Sequence, residues 1–177
     1  MKMSRSLALL SIAAFSAPAM AVKPVERTPV PAITPEVEEQ LRASYVRLID
    51  AENAHDLPAV KRLFVDSPTA LLVARTRTAE EGNWAGFWGT GTAVSHIGDL
   101  FGGVFVITPD FSRERATLLA SGVGQTYVPV QIAVAYAGQS GTPKPFLMIL
   151  DWVRVGGEWK IITDIAIPVP ASPAAHV

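Results

Sequence analysis

From residue 146 to residue 167 the chain is strongly hydrophobic, and its alternating pattern breaks once, at Gly156-Gly157. Two adjacent glycines both accept positive φ, so the break predicts a two-residue turn joining two strands of a β-hairpin. Register follows from the turn. Pairing Val155 with Glu158 sets Val153 opposite Lys160, Asp151 opposite Ile162 and Ile149 opposite Asp164, and opposed residues share a face. One face then carries Leu147, Ile149, Asp151, Val153, Lys160, Ile162, Asp164 and Ala166. The other carries Phe146, Met148, Leu150, Trp152, Arg154, Trp159, Ile161, Thr163, Ile165 and Ile167, a core-packing set. Both faces are mainly apolar, which predicts a sheet covered on both sides.

Earlier in the chain the period changes to that of helices. Thr34-Pro35-Glu36 is a helix start, with a capping hydroxyl, a proline suited to the first turn and an acid at the positive end of the dipole. Val37, Leu41, Tyr45, Leu48 and Ile49 follow at helical spacing. The helix is expected to end near residues 53–55, and Asp56 to cap a shorter one whose Leu57, Val60, Leu63 and Phe64 face inward. A short strand is read at 70–74 and a third helix at 92–101. The aromatic and glycine-rich stretch 83–89 gives no clear assignment. Strands follow at 104–108, 116–123 and 127–136, then the hairpin. Helices first and strands afterwards predict an α+β fold, with N-terminal helices packed on a curved antiparallel sheet.

Composition sets the limits of this domain. Residues 1–21 read as a secretory signal peptide: Lys2 and Arg5, an apolar run over 7–15 too short to span a bilayer, and an Ala19-Met20-Ala21 cleavage site. The expectation is therefore a periplasmic or secreted protein with no membrane span. Residues 22–34, with Pro24, Pro29 and Pro31, read as a proline-rich linker, and 169–177 as a disordered tail. That leaves a single domain over 35–168. Cysteine is absent, so a core must supply the stability without disulfides. Without Lys2 and Arg5 the balance is 13 basic against 16 acidic residues, and no basic stripe is present for nucleic acid.

Chemistry centres on Asp151 and Asp164. Carboxylates on a covered face either accept hydrogen bonds that help fix the fold, or sit in a pocket where desolvation raises a pKa into the useful range. At a diagonal cross-strand position the β-carbons would lie roughly 5 to 8 Å apart, close enough to drive their pKa values apart. His96, in the third helix, is either a packing or capping histidine or a catalytic one. Trp84, Phe87 and Trp88 are either a lid over a ligand, a dimer contact or core. His55 reads as structural and His176 lies in the tail; three dispersed histidines give no metal site, and no cofactor motif is present. Gly89-Thr90-Gly91-Thr92 is too partial for a phosphate loop and reads as a flexible rim.

Two local signatures, in this order, resemble the NTF2-like superfamily, which includes ketosteroid isomerase and SnoaL-type cyclases. One is Asn53-Ala54-His55-Asp56-Leu57 through Leu63-Phe64, similar to the family's N-x-x-D-L…L-F run. The other runs from Asp151-Trp152-Val153-Arg154 to Gly157-Glu158-Trp159-Lys160-Ile161, similar to its terminal hairpin. The likeness covers roughly residues 35–167. It implies a cone-shaped fold around an apolar cavity that holds a small-molecule ligand, and a homodimer formed through the sheets. It also implies that Asp151 points into the cavity, where the isomerase keeps a carboxyl group protonated by an apolar site. The isomerase's tyrosine donor falls at Leu48, with Tyr45 nearly a turn away, and its aspartate base at Leu72, so that route to steroid isomerisation is not expected. Tyr45, Trp84, Trp88, His96, Ile149 and Ile162 are the expected ligand contacts, with Asp151 and Asp164 as polar or catalytic groups. The alternative is a non-catalytic assembly module that uses the outer sheet surface for a protein partner.

Overall fold

The computed structural model describes residues 29–77 and 84–170. The signal-peptide expectation and the extreme tail, His176 included, lie outside the described residues. Helix α1 (Pro35–Asn53) starts where the sequence places it: Thr34 is the cap, its hydroxyl accepting from the Val37 amide at 3.3 Å. Asp56 caps α2 (Leu57–Leu63) by accepting from the Ala59 amide at 2.9 Å. Between them His55 takes a left-handed φ of 54°, which lets the chain reverse, and its ring stacks on Phe101 at 4.7 Å.

Two strands and a helix follow: β1 (Leu71–Arg75), β2 (Trp84–Trp88) and α3 (Thr90–Leu100). The aromatic segment left unassigned by its pattern is thus largely strand, because Trp84, Phe87 and Trp88 pair with Arg75, Leu72 and Leu71 of β1. The remaining strands are β3 (Phe105–Pro109), β4 (Arg115–Ala120), β5 (Val123–Val134), β6 (Lys144–Val155) and β7 (Glu158–Pro168), with a 3₁₀ turn at Phe111–Arg113. The strand expected over 116–123 ends early, since Gly122 adopts a φ of 71° and reverses the chain between β4 and β5.

The seven strands form one sheet in the order β2-β1-β7-β6-β5-β3, with β4 also on β5. The sheet is mixed rather than wholly antiparallel, because β1 pairs with β7 in parallel. The fold is α+β, with helices against one face of a cone-like sheet. That inner face is buried: Val128, Met148, Leu150, Trp152 and Ile161 are all at most 2% exposed. Trp152, fully buried, donates from Nε1 to Thr126 Oγ1 at 2.9 Å, so its one polar atom is satisfied inside the core.

Close approach fixes the seat of α1. The Leu41 side chain lies where a β-carbon on Gly124 would be, 3.0 Å from its Cδ1, so the helix settles directly on β5. At the other end, the Asn53 side chain bonds both backbone groups of Ile107, receiving from its amide at 2.7 Å and donating to its carbonyl at 2.9 Å. That pair pins the end of α1 to β3. Arg42 reaches Glu114 at 2.7 Å and ties the same helix to the turn before β4.

Candidate functional site

A β-bulge decides which groups reach the inside. The hairpin turn and the pairs from Val155–Glu158 to Val153–Lys160 are as the glycines predict, and Trp152 then pairs with Ile161 but Asp151 with Thr163. Ile162 is the extra residue. Beyond it every β7 side chain is shifted by one, and a shift of one exchanges the faces. Asp164 therefore pairs with Leu150 and faces inward at 3% exposure. Asp151 lies with Thr163 and Gln125 on the outer face, half-buried, where its carboxylate accepts from Gln125 Nε2 at 2.8 Å. The two aspartates do not share a face.

Inside, Asp164 lines a narrow cavity of about 60 Å³ together with Glu52, from the last turn of α1, and Arg75, from the end of β1. These are its three charged residues among those described; Leu72, Ala74, Ile107, Ile132, Phe146 and Met148 supply much of the apolar wall, and Trp84 and Gln139 complete the polar part. On the measure that allots one water about 10–15 Å³, the space admits roughly four to six waters. It is well below the roughly 300–1,000 Å³ of a drug-sized pocket, so it suits a molecule of only a few heavy atoms or one end of a larger one.

The electrostatics are those of a strained pair. Glu52 and Asp164 are both buried, and among the described residues no cation lies within ion-pair distance of either. Glu52 Oε2 and Asp164 Oδ1 are buried without a hydrogen-bond partner. Burial pushes both carboxyl groups upward, Asp164 to about 7, and the charge of Asp164 raises Glu52 further. Such a pair loses its protons in steps that belong to both residues together. Both groups therefore keep their protons to higher pH than a free carboxyl does.

Tyr45 stands beside this pair. It is fully buried, its hydroxyl donates to Met148 Sδ at 3.4 Å, and burial with the nearby Asp164, Glu52 and Glu114 charges keeps it neutral. It packs next to the cavity without lining it.

The fold has close counterparts among solved structures. An NTF2-like protein of unknown function from Pseudomonas putida superposes with a TM-score of 0.60 at 12% identity, covering 81% of this chain and 94% of that one. An uncharacterised protein with a cystatin-like fold from Caulobacter vibrioides gives 0.63 at 14%, covering 76% and 91%. An NTF2-like protein from Cytophaga hutchinsonii gives 0.57 at 14%, covering 75% and 98%. The chain has an NTF2-like fold. No family model and no curated protein matches it by sequence.

Within this NTF2-like domain the other expected contacts are dispersed. Trp84 does line the cavity, leaning on Phe146 with ring centroids 6.3 Å apart. Trp88, two residues on, is 60% exposed and points away. Ile149 lies on the outer face with Asp151, and Ile162 is taken up by the bulge, packed at the edge of the core. His96 is buried behind the cavity: its ring stacks on Phe87 at 3.7 Å, meets Tyr136 edge-on, and its Nε2–H donates to the Arg75 carbonyl at 3.0 Å. Among the described residues no three potential ligands gather around a metal position, and no helix is long and apolar enough to cross a membrane.

Glu52 and Arg75 were not singled out from sequence. Glu52 carried a signal nonetheless, since it continues the stripe Leu41, Tyr45, Leu48 at core-facing spacing and is an acid where an apolar residue belongs. A larger concavity of about 910 Å³ runs between α1, α2 and the β6–β7 turn. It is an open surface groove whose Lys160 already binds Glu158 at 2.7 Å and the Arg62 carbonyl at 2.9 Å.

Proposed function

We propose that the protein holds a small, mainly apolar molecule in the cone cavity and exchanges a proton with it through Glu52 and Asp164. The supporting observation is the pair itself: two buried carboxyl groups in one mainly apolar cavity, with no cation among the described residues within ion-pair distance of either. A fold gains nothing from such a pair, because each desolvated carboxylate costs free energy unless matched. Sites of this kind are where acid and base roles separate. In the proposed chemistry the protonated member donates to an oxygen of the bound molecule, and the ionised member takes a proton from an adjacent atom. The reaction class is cofactor-free proton transfer, as in an isomerase, cyclase or hydrolase.

The same reading takes the chain to be exported, on the strength of residues 1–21, and to act as a homodimer. Tyr127 and Ile167 are exposed on the outer sheet face around the half-buried Ile149, with Val106 further along the same face, an apolar surface that a second copy would cover. A different protein partner at that surface is the competing reading. Native mass spectrometry of the protein from its own host, before and after denaturing extraction, tests both. A homodimer carrying a small molecule that Glu52→Gln and Asp164→Asn release supports the proposal; a stable heteromer with an empty cavity refutes it.

A further inference from the structure

Arg75 is the one lining residue whose chemistry the proton-exchanging pair does not use. Its guanidinium is permanently charged. It contributes to the cavity wall, its Nε is buried, and that nitrogen has no hydrogen-bond partner among the described residues. Nor does it serve the acids: neither Glu52 nor Asp164 lies within ion-pair distance, and its charge is not among the influences that set their protonation. The strand register explains this separation. Leu72 pairs with Asp164 across β1 and β7, and Arg75 ends β1 three residues further along, roughly 10 Å at strand rise and out of the inward-facing row of Leu72 and Ala74, so it reaches the cavity at its edge, half-buried.

The backbone of Arg75 is also held with more than ordinary care. His96, buried between Phe87 and Tyr136, donates to its carbonyl at 3.0 Å, and Trp84 pairs with it across β2. A buried donor without an acceptor is costly, and a charged one recovers most from an anionic acceptor. The cavity thus has a cationic end at Arg75, with Gln139 from the β5–β6 loop as a neighbouring polar group, an apolar middle, and an acidic end at Glu52 and Asp164.

Resting on the reading of this cavity as the ligand site, we infer that its ligand is a small organic acid, with an anionic group at Arg75 and an apolar body reaching toward the carboxyl pair. Arg75 is the specificity-determining residue and His96 its positioning residue. The size of the space fits a body of a few carbons.

Titration calorimetry of the protein with butyrate and with its neutral isostere butyramide tests this. Butyrate is expected to bind at millimolar concentrations about tenfold or more tightly than butyramide. Arg75→Gln is expected to abolish that preference and Arg75→Lys to keep part of it, both with thermal unfolding close to wild type. Asp164→Asn is expected to weaken both probes alike and so to keep the ratio between them, which separates the anion-binding role of Arg75 from the acid pair. Equal binding of the two probes, no binding of butyrate, or a preference that survives Arg75→Gln overturns the assignment of Arg75. A preference unchanged in Arg75→Gln but lost in Asp164→Asn also overturns it while leaving the proton-exchange reading standing.

Discussion

Asp151 and Asp164 lie on neighbouring strands yet on opposite faces of the sheet, because Ile162 is inserted between their rows. Asp164 consequently meets Glu52 in the cavity, whereas Asp151 meets Gln125 on the outside. Exchanging Asp151 for asparagine should therefore have little effect within. Asp151→Asn is expected to stay within about 1 kcal/mol of wild-type stability and to bind ligand unchanged, because an amide oxygen still accepts from Gln125. Chemical denaturation and a binding isotherm check both; loss of binding would place Asp151 in the site.

The acid pair makes the fold sensitive to pH in a definite direction. The Asp164 carboxyl ordinarily titrates near 3.8 and is pushed up to about 7 in the fold, with Glu52 also raised. Between those values the unfolded chain releases protons that the folded chain keeps. Stability from this source is thus fully present below about pH 4 and is lost as pH rises through 7. Asp164→Asn removes the penalty, so at pH 8 it should be more stable than wild type by on the order of 2–4 kcal/mol, and the gap should close below pH 4. Urea titrations at both pH values decide it.

Tyr45 has a weak acceptor as its hydroxyl partner, Met148 Sδ at 3.4 Å. Tyr45→Phe is expected to change stability by less than about 1 kcal/mol, since little is given up when both a donor and its weak partner are left apolar. Unfolding midpoints measure this; a larger loss would show that the hydroxyl serves the acid pair directly.

Trp152 is a contrasting case. Its ring fills the inner face and its Nε1 bonds Thr126 at 2.9 Å. Trp152→Phe leaves both a cavity and an orphaned hydroxyl, and should cost about 2–4 kcal/mol, read from denaturant midpoints at constant slope.

What the sequence could tell depended on how local each signal was. Thr34 and Asp56 were legible as caps because a cap acts over three residues, and both bind the amides expected of them. The Gly156-Gly157 turn was legible for the same reason, and so was the register up to Val153. The bulge was not. Ile162 lies among apolar residues on both faces, so a shift of one exchanged an apolar row for an apolar row and left no mark in the pattern except the fate of the aspartates. The parallel pairing of β1 with β7, and the meeting of Glu52 with Asp164, join residues far apart in the chain and rest on tertiary packing. Trp84 alone of the expected aromatics reached the cavity because it starts β2 opposite Arg75, while Trp88 falls at the exposed end.

The central claim is that Glu52 and Asp164 share a proton in the buried interior near neutral pH. Carboxyl carbon-13 NMR across a pH titration, assigned with Glu52→Gln and Asp164→Asn, measures it directly. The account predicts that both resonances stay protonated well above pH 5, respond to each other, and that one proton of the pair leaves near pH 7. Two independent titrations near pH 4, each unmoved by substitution of the other residue, would contradict it.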